Sequence, residues 1–418
     1  MFEFIHAADI HLDSPLRGLE RYEGAPVEEI RLATRRALEN LVSLALERQV
    51  AFVLIAGDLF DGDWKDYNTG LFFARQMARL REALIPVYIV KGNHDAANKI
   101  TRSLKMPDNV HVFAHSRPET FLIDETGESG VAIHGQSFST AATLKNLAQD
   151  YPPSVAGRFN IGVLHTCATG REGHETYAPC TVADLKARGY DYWALGHVHK
   201  REVLAEEPLV VFPGNIQGRH IRETGPKGCT IVSVDDRGKP TAFFEELDVL
   251  RWEHSRVDVS ETRTAEEVLE RVEQALSELA DESGSTPMAV RVELTGSCQA
   301  DAVLRSSIEH WTNQVRAVAA DCGRDRLWVE KVKIRTTPER ETTDGALNDG
   351  PVAEFFKVVE EMQKDEDERQ ALKEELLDLE KKLTLEVKEL MGWNSEEFLP
   401  EMLTDVKDIL MDRLSRRK

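Results

Sequence analysis

Short hydrophobic runs that stop at polar clusters are the most regular pattern in the first 200 residues of this chain. Each run is rich in Val, Ile, Leu and aromatic residues and is bounded by turn residues, which predicts a buried strand. Loops at the carboxyl ends of strands are where open α/β sheets bind ligands, so the clusters predict one composite site. The five runs are FEFIHAADIH with Asp9 and His11, AFVLIAGD with Asp58, PVYIVKGNHD with Asn93, His94 and Asp95, NIGVLHT with His165, and YDYWALGHVH with His197 and His199.

Helical and strand patterns alternate over residues 1–250, which predicts an α/β domain there. Apolar spacings of three and four predict helices over Glu28 to Arg48 and about Asn68 to Leu84. Further strands are expected near residues 110, 121 and 131, and over 209–212 and 228–234.

After Leu250 the pattern becomes strand, helix, strand, helix, strand, which predicts a small α+β domain over residues 251–335. Trp252 and Trp328 are expected in its core, because a buried aromatic is the commoner case. Turn formers without hydrophobic periodicity predict a linker over 336–350. A helical tail is then expected over 351–418, where an apolar stripe on a highly charged segment favours a coiled coil or a partner-facing seam. Its members are Leu372, Leu376, Leu379, Leu383, Val387 and Leu390.

The polar clusters have the donor chemistry of a metal site. Side chains two apart on an extended segment point the same way, so Asp9 with His11, and His197 with His199, each present two donors to one side. A carboxylate such as Asp58 can bridge two ions, and a two-metal site suits in-line displacement at phosphorus. Carboxylate, amide and imidazole donors without a thiolate favour Mn²⁺, Fe²⁺ or Zn²⁺.

The motif series D-x-H, G-D, G-N-H-D, H and G-H-x-H, in this order over residues 9–199, resembles the calcineurin-like metallophosphoesterase superfamily. Within it, HAADIHLDSPL, AGDLFDGDWKDY, GHETYAPC, GHVHKREV and PGNIQGRHIRETGPKG resemble the YhaO-type branch of bacterial DNA repair exonucleases, which are related to SbcD nuclease subunits. The resemblance implies a four-layer αββα sandwich over the first domain. It also implies that the small α+β domain caps the active site.

The resemblance also implies how the two ions are held. Asp9, His11, Asp58 and His199 would bind one ion, while Asp58, Asn93, His165 and His197 would bind the other. His94 would be a non-ligand that contacts the phosphate and protonates the leaving oxygen, and Asp95 would orient its imidazole. Water activated by the two ions would be the nucleophile.

One position departs from some relatives, which carry a histidine three residues after the G-D aspartate. This chain has Asp61 there, so the substrate-orienting role of that histidine does not transfer and cleavage polarity is left open. Two other histidines, His6 and His134, are expected to be satisfied core side chains.

Charge complicates a nuclease assignment. The formal net charge of the 418 residues is −21, whereas phosphate-backbone binding favours a basic surface. Lys65, Arg219 and His220 are therefore candidate substrate contacts, with ordinary solvated charge as the alternative. A partner subunit that supplies much of the DNA affinity is a second alternative.

Three functional classes remain open. The first is a metal-dependent DNA exonuclease, with endonuclease activity also open, that uses two ions, Mn²⁺ above all. The second is a phosphatase or cyclic-nucleotide phosphodiesterase with the same centre, and the third is a scaffold with an inactive site. The resemblance implies DNA, an SMC-like coiled-coil ATPase bound to the tail, and a homodimer as partners. No apolar run approaches the length that spans a bilayer, and the N-terminus MFEFIHAADIH leads directly into a predicted strand, which predicts a cytoplasmic protein. The five cysteines are scattered along the chain, which predicts reduced thiols.

Overall fold

Two six-stranded sheets form the framework of the first domain. The computed structural model describes residues 1–14, 16, 32–61, 67–97, 106–124, 130–168, 177–282, 284–323 and 326–339, and short stretches between 354 and 406. The first sheet has the order β12-β11-β1-β2-β3-β4, with β1 to β4 parallel and β11 and β12 antiparallel to their neighbours. Its strands are β1 (Phe2–Ala7), β2 (Phe52–Ala56), β3 (Val87–Val90), β4 (Val110–Val112), β11 (Gly228–Val234) and β12 (Pro240–Glu246).

The second sheet has the order β5-β6-β7-β8-β10-β9. Strands β6, β7, β8 and β10 are parallel, and the edge strands β5 and β9 are antiparallel to their neighbours. The strands are β5 (Glu119–Ile123), β6 (Val131–Gly135), β7 (Phe159–His165), β8 (Tyr192–Gly196), β9 (Glu202–Glu206) and β10 (Leu209–Phe212).

The two sheets pack face to face, and helices cover their outer faces. The rings of Phe4 and Phe52 stack at 4.9 Å in the first sheet, and Phe4 meets Tyr192 of the second edge-on at 5.3 Å. Helices α1 (Ala33–Arg48) and α2 (Asn68–Glu82) cover the first sheet, and the short α4 (Val182–Lys186) with a 3₁₀ turn over Leu147–Asp150 covers the second. The predicted αββα layering is confirmed. A five-residue helix, α3 (Asn93–Ala97), follows β3.

The middle domain is a parallel three-stranded sheet with helices on one face. Its elements follow in the predicted alternation, and the order of the strands is β13-β14-β15. Trp252 is buried, but it and Trp328 pack in a cluster with Leu16, Ala33 and Leu250 rather than in the core beneath the helices, so their expected place in that core is wrong. The elements are β13 (Arg251–Asp258), α5 (Ala265–Glu282), β14 (Met288–Cys298), α6 (Asp301–Ser306), α7 (Ile308–Gly323) and β15 (Leu327–Pro338).

The predicted linker starts too early in the sequence. Strand β15 continues to Pro338, because Thr336 pairs with Gly296, is buried, and donates its hydroxyl proton to Asp301 over 2.6 Å. Residues 340–353 lie outside the described part of the chain.

The described part of the tail forms a second compact unit. It contains α8 (Glu366–Glu375) and α9 (Leu377–Glu380), and the rings of Trp393 and Phe398 lie 4.9 Å apart. Among the described residues, no helix combines the length and the apolar character that a membrane crossing requires.

Candidate metal centre

The predicted metal ligands meet where the carboxyl ends of both sheets come together. Asp9 and His11 follow β1, Asp58 follows β2, and Asn93 begins α3 directly after β3. From the second sheet, His165 ends β7, and His197 and His199 follow β8. Ligand atoms lie within 4.8 Å of one another in three overlapping groups, which are Asp9–His11–His199, His11–Asp58–His94 and Asp58–His165–His197.

Backbone conformations of high energy hold these side chains in place. The φ angles are +50° at Asp9, +44° at His11, +49° at Asp58 and +106° at His197, in a region that residues with a Cβ rarely adopt. Main-chain hydrogen bonds from Asp9 to Gly57 and from His11 to Asp58, each 3.0 Å long, fix the turn after β1. Strain of this kind is concentrated at functional sites, where the surrounding structure enforces it.

Glycine is required where main chain and ligands crowd together. A Cβ on Gly92 would lie 2.3 Å from Oδ1 of Asp58, and one on Gly196 would lie 1.8 Å from the carbonyl oxygen of Ala56. The glycines of the G-N-H-D and G-H-x-H motifs therefore let the loops of the two sheets approach each other.

The first half of the centre, which we call the backbone-held half, contains Asp58, Asn93, His165 and His197. The Nδ1–H of His165 donates to the main-chain oxygen of Ala56 over 2.9 Å, so its other ring nitrogen, Nε2, faces inward. Nε2 lies 3.0 Å from Oδ1 of Asn93 and 3.3 Å from Oδ2 of Asp58. Burial opposes a charged imidazole, but Asp58 outweighs it and raises the pKa of His165 to about 9, so a proton occupies this space when no metal is bound. A metal ion that displaces this proton would meet one imidazole nitrogen and two oxygens, so this half fits a metal ion.

The second half, which we call the carboxylate-held half, contains Asp9, His11 and His199, and it shares Asp58 with the first half. The Nδ1–H of His199 donates to Glu223 over 2.7 Å, so its Nε2 points towards the other ligands. That Nε2 lies 3.2 Å from Nε2 of His11 and 3.9 Å from Oδ1 of Asp9. Nδ1 of His11 is buried and makes no hydrogen bond to the described residues; its neighbour Asp61 is 3.6 Å away. This half also fits a cation.

Burial favours the metal-binding form of the imidazoles and opposes that of the carboxylates. It lowers the pKa of His11 to about 4 and that of His199 to about 3, so both imidazoles are neutral donors. It raises the pKa of Asp9 to about 7, so a metal ion must displace the proton of that carboxyl. Burial also acts against ionised Asp58, but its pKa is well below the usual range because His165 and His94 lie nearby. Neutral imidazole and ionised carboxylate are the forms that bind divalent metals.

His94 lies beside the carboxylate-held half and has Asp61 as a partner. Nδ1 of His94 is 3.0 Å from Oδ1 of Asp61, whose pKa is far below its usual value because the neighbouring His11, His94 and Arg219 together outweigh burial. Asp95 instead accepts the backbone N–H groups of Leu59, Phe60 and Gly92. The expected orientation of the His94 imidazole by Asp95 is therefore wrong. Neighbouring residues of a helix do not face each other, and the loop after β2 brings Asp61 to His94 instead.

The candidate substrate contacts differ in position. Arg219 is buried, with Nη2 3.4 Å from Glu223 and Nη1 4.0 Å from Asp61, so its charge lies within the site. His220 is at the rim, with Nε2 3.6 Å from Glu223. Lys65 lies outside the described residues.

Glu223 is the residue that the sequence analysis missed. It contacts His199, Asn215 and Arg219. It lies within the stretch PGNIQGRHIRETGPKG, but nothing in that stretch indicates a contact with His199. The two remaining histidines are core residues as expected. His6 bonds to Tyr192 and Leu195, and His134 bonds to Thr120 and Asn160.

Comparisons with known proteins agree with this fold and site. Residues 2–201 match the calcineurin-like phosphoesterase family, and residues 252–337 match the middle domain of the metallophosphoesterase YhaO. The chain belongs to the calcineurin-like metallophosphoesterases, as the motif series predicted. It is 40% identical over 294 residues to the uncharacterized metallophosphoesterase YhaO of Bacillus subtilis, covering 70% of this chain and 71% of that protein.

Two more distant relatives carry names from DNA metabolism. One is the DNA double-strand break repair protein Mre11 of Methanopyrus kandleri, 25% identical over 82% of this chain and 73% of the relative. The other is the D subunit of the nuclease SbcCD of Staphylococcus epidermidis, 22% identical over 60% of this chain and 70% of the relative.

Proposed function

We propose that this metallophosphoesterase hydrolyses phosphodiester bonds of DNA, as an exonuclease in DNA repair. The observation that carries the proposal is the grouping of Asp9, His11, Asp58, His165, His197 and His199 with His94, while Asn93 contacts His165 and Arg219 lies 4.0 Å from Asp61. The names of the Mre11 and SbcCD relatives support DNA as the substrate.

Two divalent ions, when bound, would activate water and stabilise charge on the phosphoryl oxygens. Asp9, His11, Asp58 and His199 would hold one ion, and Asp58, Asn93, His165 and His197 the other. We propose Mn²⁺ for both, because the donor set is oxygen and imidazole without thiolate.

The chain's own groups would position the phosphate and handle the proton. Asp61 accepts Nδ1–H of His94 over 3.0 Å and leaves Nε2 to protonate the departing oxygen. The guanidinium of Arg219 is suited to bind a non-bridging phosphate oxygen, because its planar fork matches phosphate geometry.

The middle domain offers a basic surface that a DNA backbone requires. Val292 and Val332 face the helices, so alternate residues along β14 and β15 point to the opposite face of the sheet. Basic residues on that opposite face are Arg256, Arg291, Lys331, Lys333 and Arg335, and acidic ones are Asp258, Glu293 and Glu330. Arg291 is paired with Glu330 over 2.9 Å, which compensates its charge, and the other four basic residues supply positive charge for a phosphate backbone.

This face is connected to the metal centre. It begins at Trp252, whose indole N–H donates to the carbonyl oxygen of Gly218 over 3.0 Å, directly before Arg219. Local basic charge can therefore guide a phosphate backbone to the site despite a net charge of −21.

A substrate comparison tests the proposal. Linear DNA, a cyclic nucleotide and a phosphomonoester are each incubated with the full chain and Mn²⁺, with Fe²⁺ and Zn²⁺ in parallel. We expect DNA to be the preferred substrate, and His94→Ala to serve as the inactive control. Preference for the cyclic nucleotide or the monoester would favour the alternative activity, and no hydrolysis at all would favour the scaffold.

Lys331→Glu tests the basic face, with Lys239→Glu on the exposed turn between β11 and β12 as the matched control. We expect the Lys331 variant to weaken DNA binding and to reduce the salt slope of log Kd by about 1, because one phosphate contact is lost. Hydrolysis of a small phosphodiester should not change. Equal DNA affinity of the two variants would remove this face from the proposal.

We also propose that the tail, residues 351–418, docks an SMC-like coiled-coil ATPase. Leu377 and Leu379 of α9 are 44% and 48% exposed, which fits a surface that a partner covers. A chain that ends at Glu339 should keep small-phosphodiester hydrolysis and lose co-purification with the ATPase. Equal loss of both would reject the docking role. Sedimentation of the full chain tests the expected homodimer.

A further inference from the structure

Glu223 is a buried carboxylate next to the metal centre that has several hydrogen-bond partners. It lies in the loop between β10 and β11, and 6% of the residue is exposed. Oε1 accepts Nδ1–H of His199 over 2.7 Å. Oε2 accepts the side-chain N–H of Asn215 over 2.9 Å and the backbone N–H of Arg219 over 2.6 Å.

The bond to His199 determines which nitrogen of that ring can bind metal. A carboxylate accepts only, so its bond of 2.7 Å places the proton of neutral His199 on Nδ1 and the lone pair on Nε2. Nη2 of Arg219 also lies near Nδ1, but at the longer distance of 3.3 Å. Nε2 is the atom that faces His11 and Asp9. A carboxylate partner also makes an imidazole a stronger donor to metal.

The same carboxylate holds Arg219 in the site. The backbone N–H of Arg219 and its Nη2 both reach Glu223, the latter over 3.4 Å, while Nη1 points to Asp61 at 4.0 Å. The guanidinium is thus placed between the supporting carboxylate and the partner of His94. A buried guanidinium without Glu223 would lack this charge compensation.

We propose that Glu223 is a positioning residue that sets two parts of the site at once. It selects the metal-binding tautomer of His199, and it holds Arg219 where a substrate phosphate binds. The inference rests on the proposed phosphodiesterase function only in requiring a metal centre and a phosphodiester substrate. It does not depend on DNA being that substrate.

The main test replaces Glu223 by Gln. The amide of Gln carries one acceptor and one donor, so it cannot accept from both His199 and Arg219 in the present geometry. We expect the affinity for one of the two Mn²⁺ ions to fall about 10–100-fold, the usual effect of losing a partner of a metal-ligating histidine. The affinity for the second ion should stay within a few-fold, and KM for bis(p-nitrophenyl) phosphate should rise because Arg219 is no longer held.

Two further variants separate positioning from general stability. Asp301→Asn in the middle domain is the matched control, because Asp301 is also buried and is bonded to Arg305 and Thr336. It should leave both Mn²⁺ affinities unchanged. Glu223→Asp keeps a carboxylate and should restore part of the lost affinity.

Metal titration gives the decisive readout. Selective weakening of one ion in Glu223→Gln, with partial rescue by Asp, supports the inference. Wild-type affinity for both ions in a folded Gln variant would overturn it, as would equal weakening in Asp301→Asn. If the wild-type chain binds two ions but does not cleave DNA, the proposed function is wrong, whereas the inference about Glu223 still stands.

Asn215→Ala decides the question if the Gln variant does not fold. It removes one hydrogen-bond donor from Glu223 and keeps the carboxylate. The same ion should be weakened, by less than in Glu223→Gln. Unchanged binding of both ions in this folded variant would then overturn the inference.

Discussion

The two halves of the metal centre orient their histidines by different means. In the backbone-held half, the main-chain oxygen of Ala56, in the buried strand β2, accepts Nδ1–H of His165. In the carboxylate-held half, the side chain of Glu223 does the same for His199. A main-chain partner survives any substitution that keeps the strand, whereas a side-chain partner can be lost by one substitution. The orientation of the histidine in the carboxylate-held half is therefore easier to change by a single substitution.

Asp58→Ala should have the largest effect, because Asp58 is the ligand common to both halves. Its Oδ2 faces His165, and its carboxylate also belongs to the group with His11 and His94. We expect loss of both ions and a fall in kcat of about 10³-fold or more, since two-metal stabilisation of the phosphoryl oxygens disappears. Metal content is measured by elemental analysis. Retention of one tightly bound ion would show that the halves are independent.

His94→Ala should abolish turnover and leave both halves intact. We expect kcat to fall about 10²–10⁴-fold, the usual contribution of a general acid, with two ions still bound. His94 lies within ligand distance of Asp58 and His11, so metal content is the decisive measurement. If one ion is lost with the side chain, His94 is a ligand and the assigned role is wrong.

The sequence predicted the candidate ligands of both halves but only part of the contacts that orient them. All five hydrophobic runs form strands, from β1 (Phe2–Ala7) to β8 (Tyr192–Gly196), because local composition and period determine a buried strand. Ligands at strand ends are then grouped by the sheet itself. The fold of the first domain and the candidate ligands were therefore predictable.

Contacts between distant loops were not predictable in the same way. Glu223 meets His199 across 24 positions, and Asp61 meets His94 across a strand and a helix. No period or motif marks such pairs, because the path of a loop depends on tertiary packing. Adjacency along the chain instead favoured Asp95 as the partner of His94, whereas its carboxylate caps backbone N–H groups.

Proton release should distinguish the halves. The pKa of Asp9 is raised to about 7, mainly by burial. The pKa of His165 is raised to about 9, because Asp58 outweighs the opposing effect of burial. Metal must displace both protons, so Mn²⁺ affinity should rise with pH by about tenfold per unit for each proton displaced. We expect the rise in Mn²⁺ affinity to level off near pH 7 for the carboxylate-held half and near pH 9 for the backbone-held half.

The same shifts predict the stability of the chain without metal. Both groups have a folded pKa above the unfolded value, so each contributes stability at low pH that is lost as pH rises through its folded pKa. The Asp9 contribution is lost between about pH 4 and 7, and the His165 contribution between about 6.5 and 9. Without metal, Tm should fall from pH 6 to 9, and Mn²⁺ should reverse the fall. A Tm increment from Mn²⁺ that is equal at both pH values would contradict the shifts.

Asp95→Asn and Asp61→Asn form a matched pair that tests the partner of His94. Asp95→Asn should lower the free energy of unfolding by about 1–3 kcal/mol, because an amide cannot accept three backbone N–H bonds. Asp61→Asn should lower kcat with metal content retained, because the neutral amide is a weaker acceptor and no longer stabilises the protonated imidazole of His94. Denaturant titration and steady-state kinetics separate the two. The reverse result, with kcat falling only in the Asp95 variant, would restore Asp95 as the orienting residue.

Arg219→Lys should have the smallest effect. It tests whether the carboxylate-held half requires the geometry of a guanidinium or only its positive charge. Lysine keeps the positive charge but loses the planar fork that reaches both Glu223 and Asp61. We expect KM for a small phosphodiester to rise a few-fold, with both Mn²⁺ affinities retained, because the charge that Glu223 compensates is still present. Arg188→Lys is the control, since that side chain donates to main-chain oxygens of Gln149 and Tyr151. A fall in kcat at constant KM would mean that Arg219 acts in the transition state rather than in substrate binding.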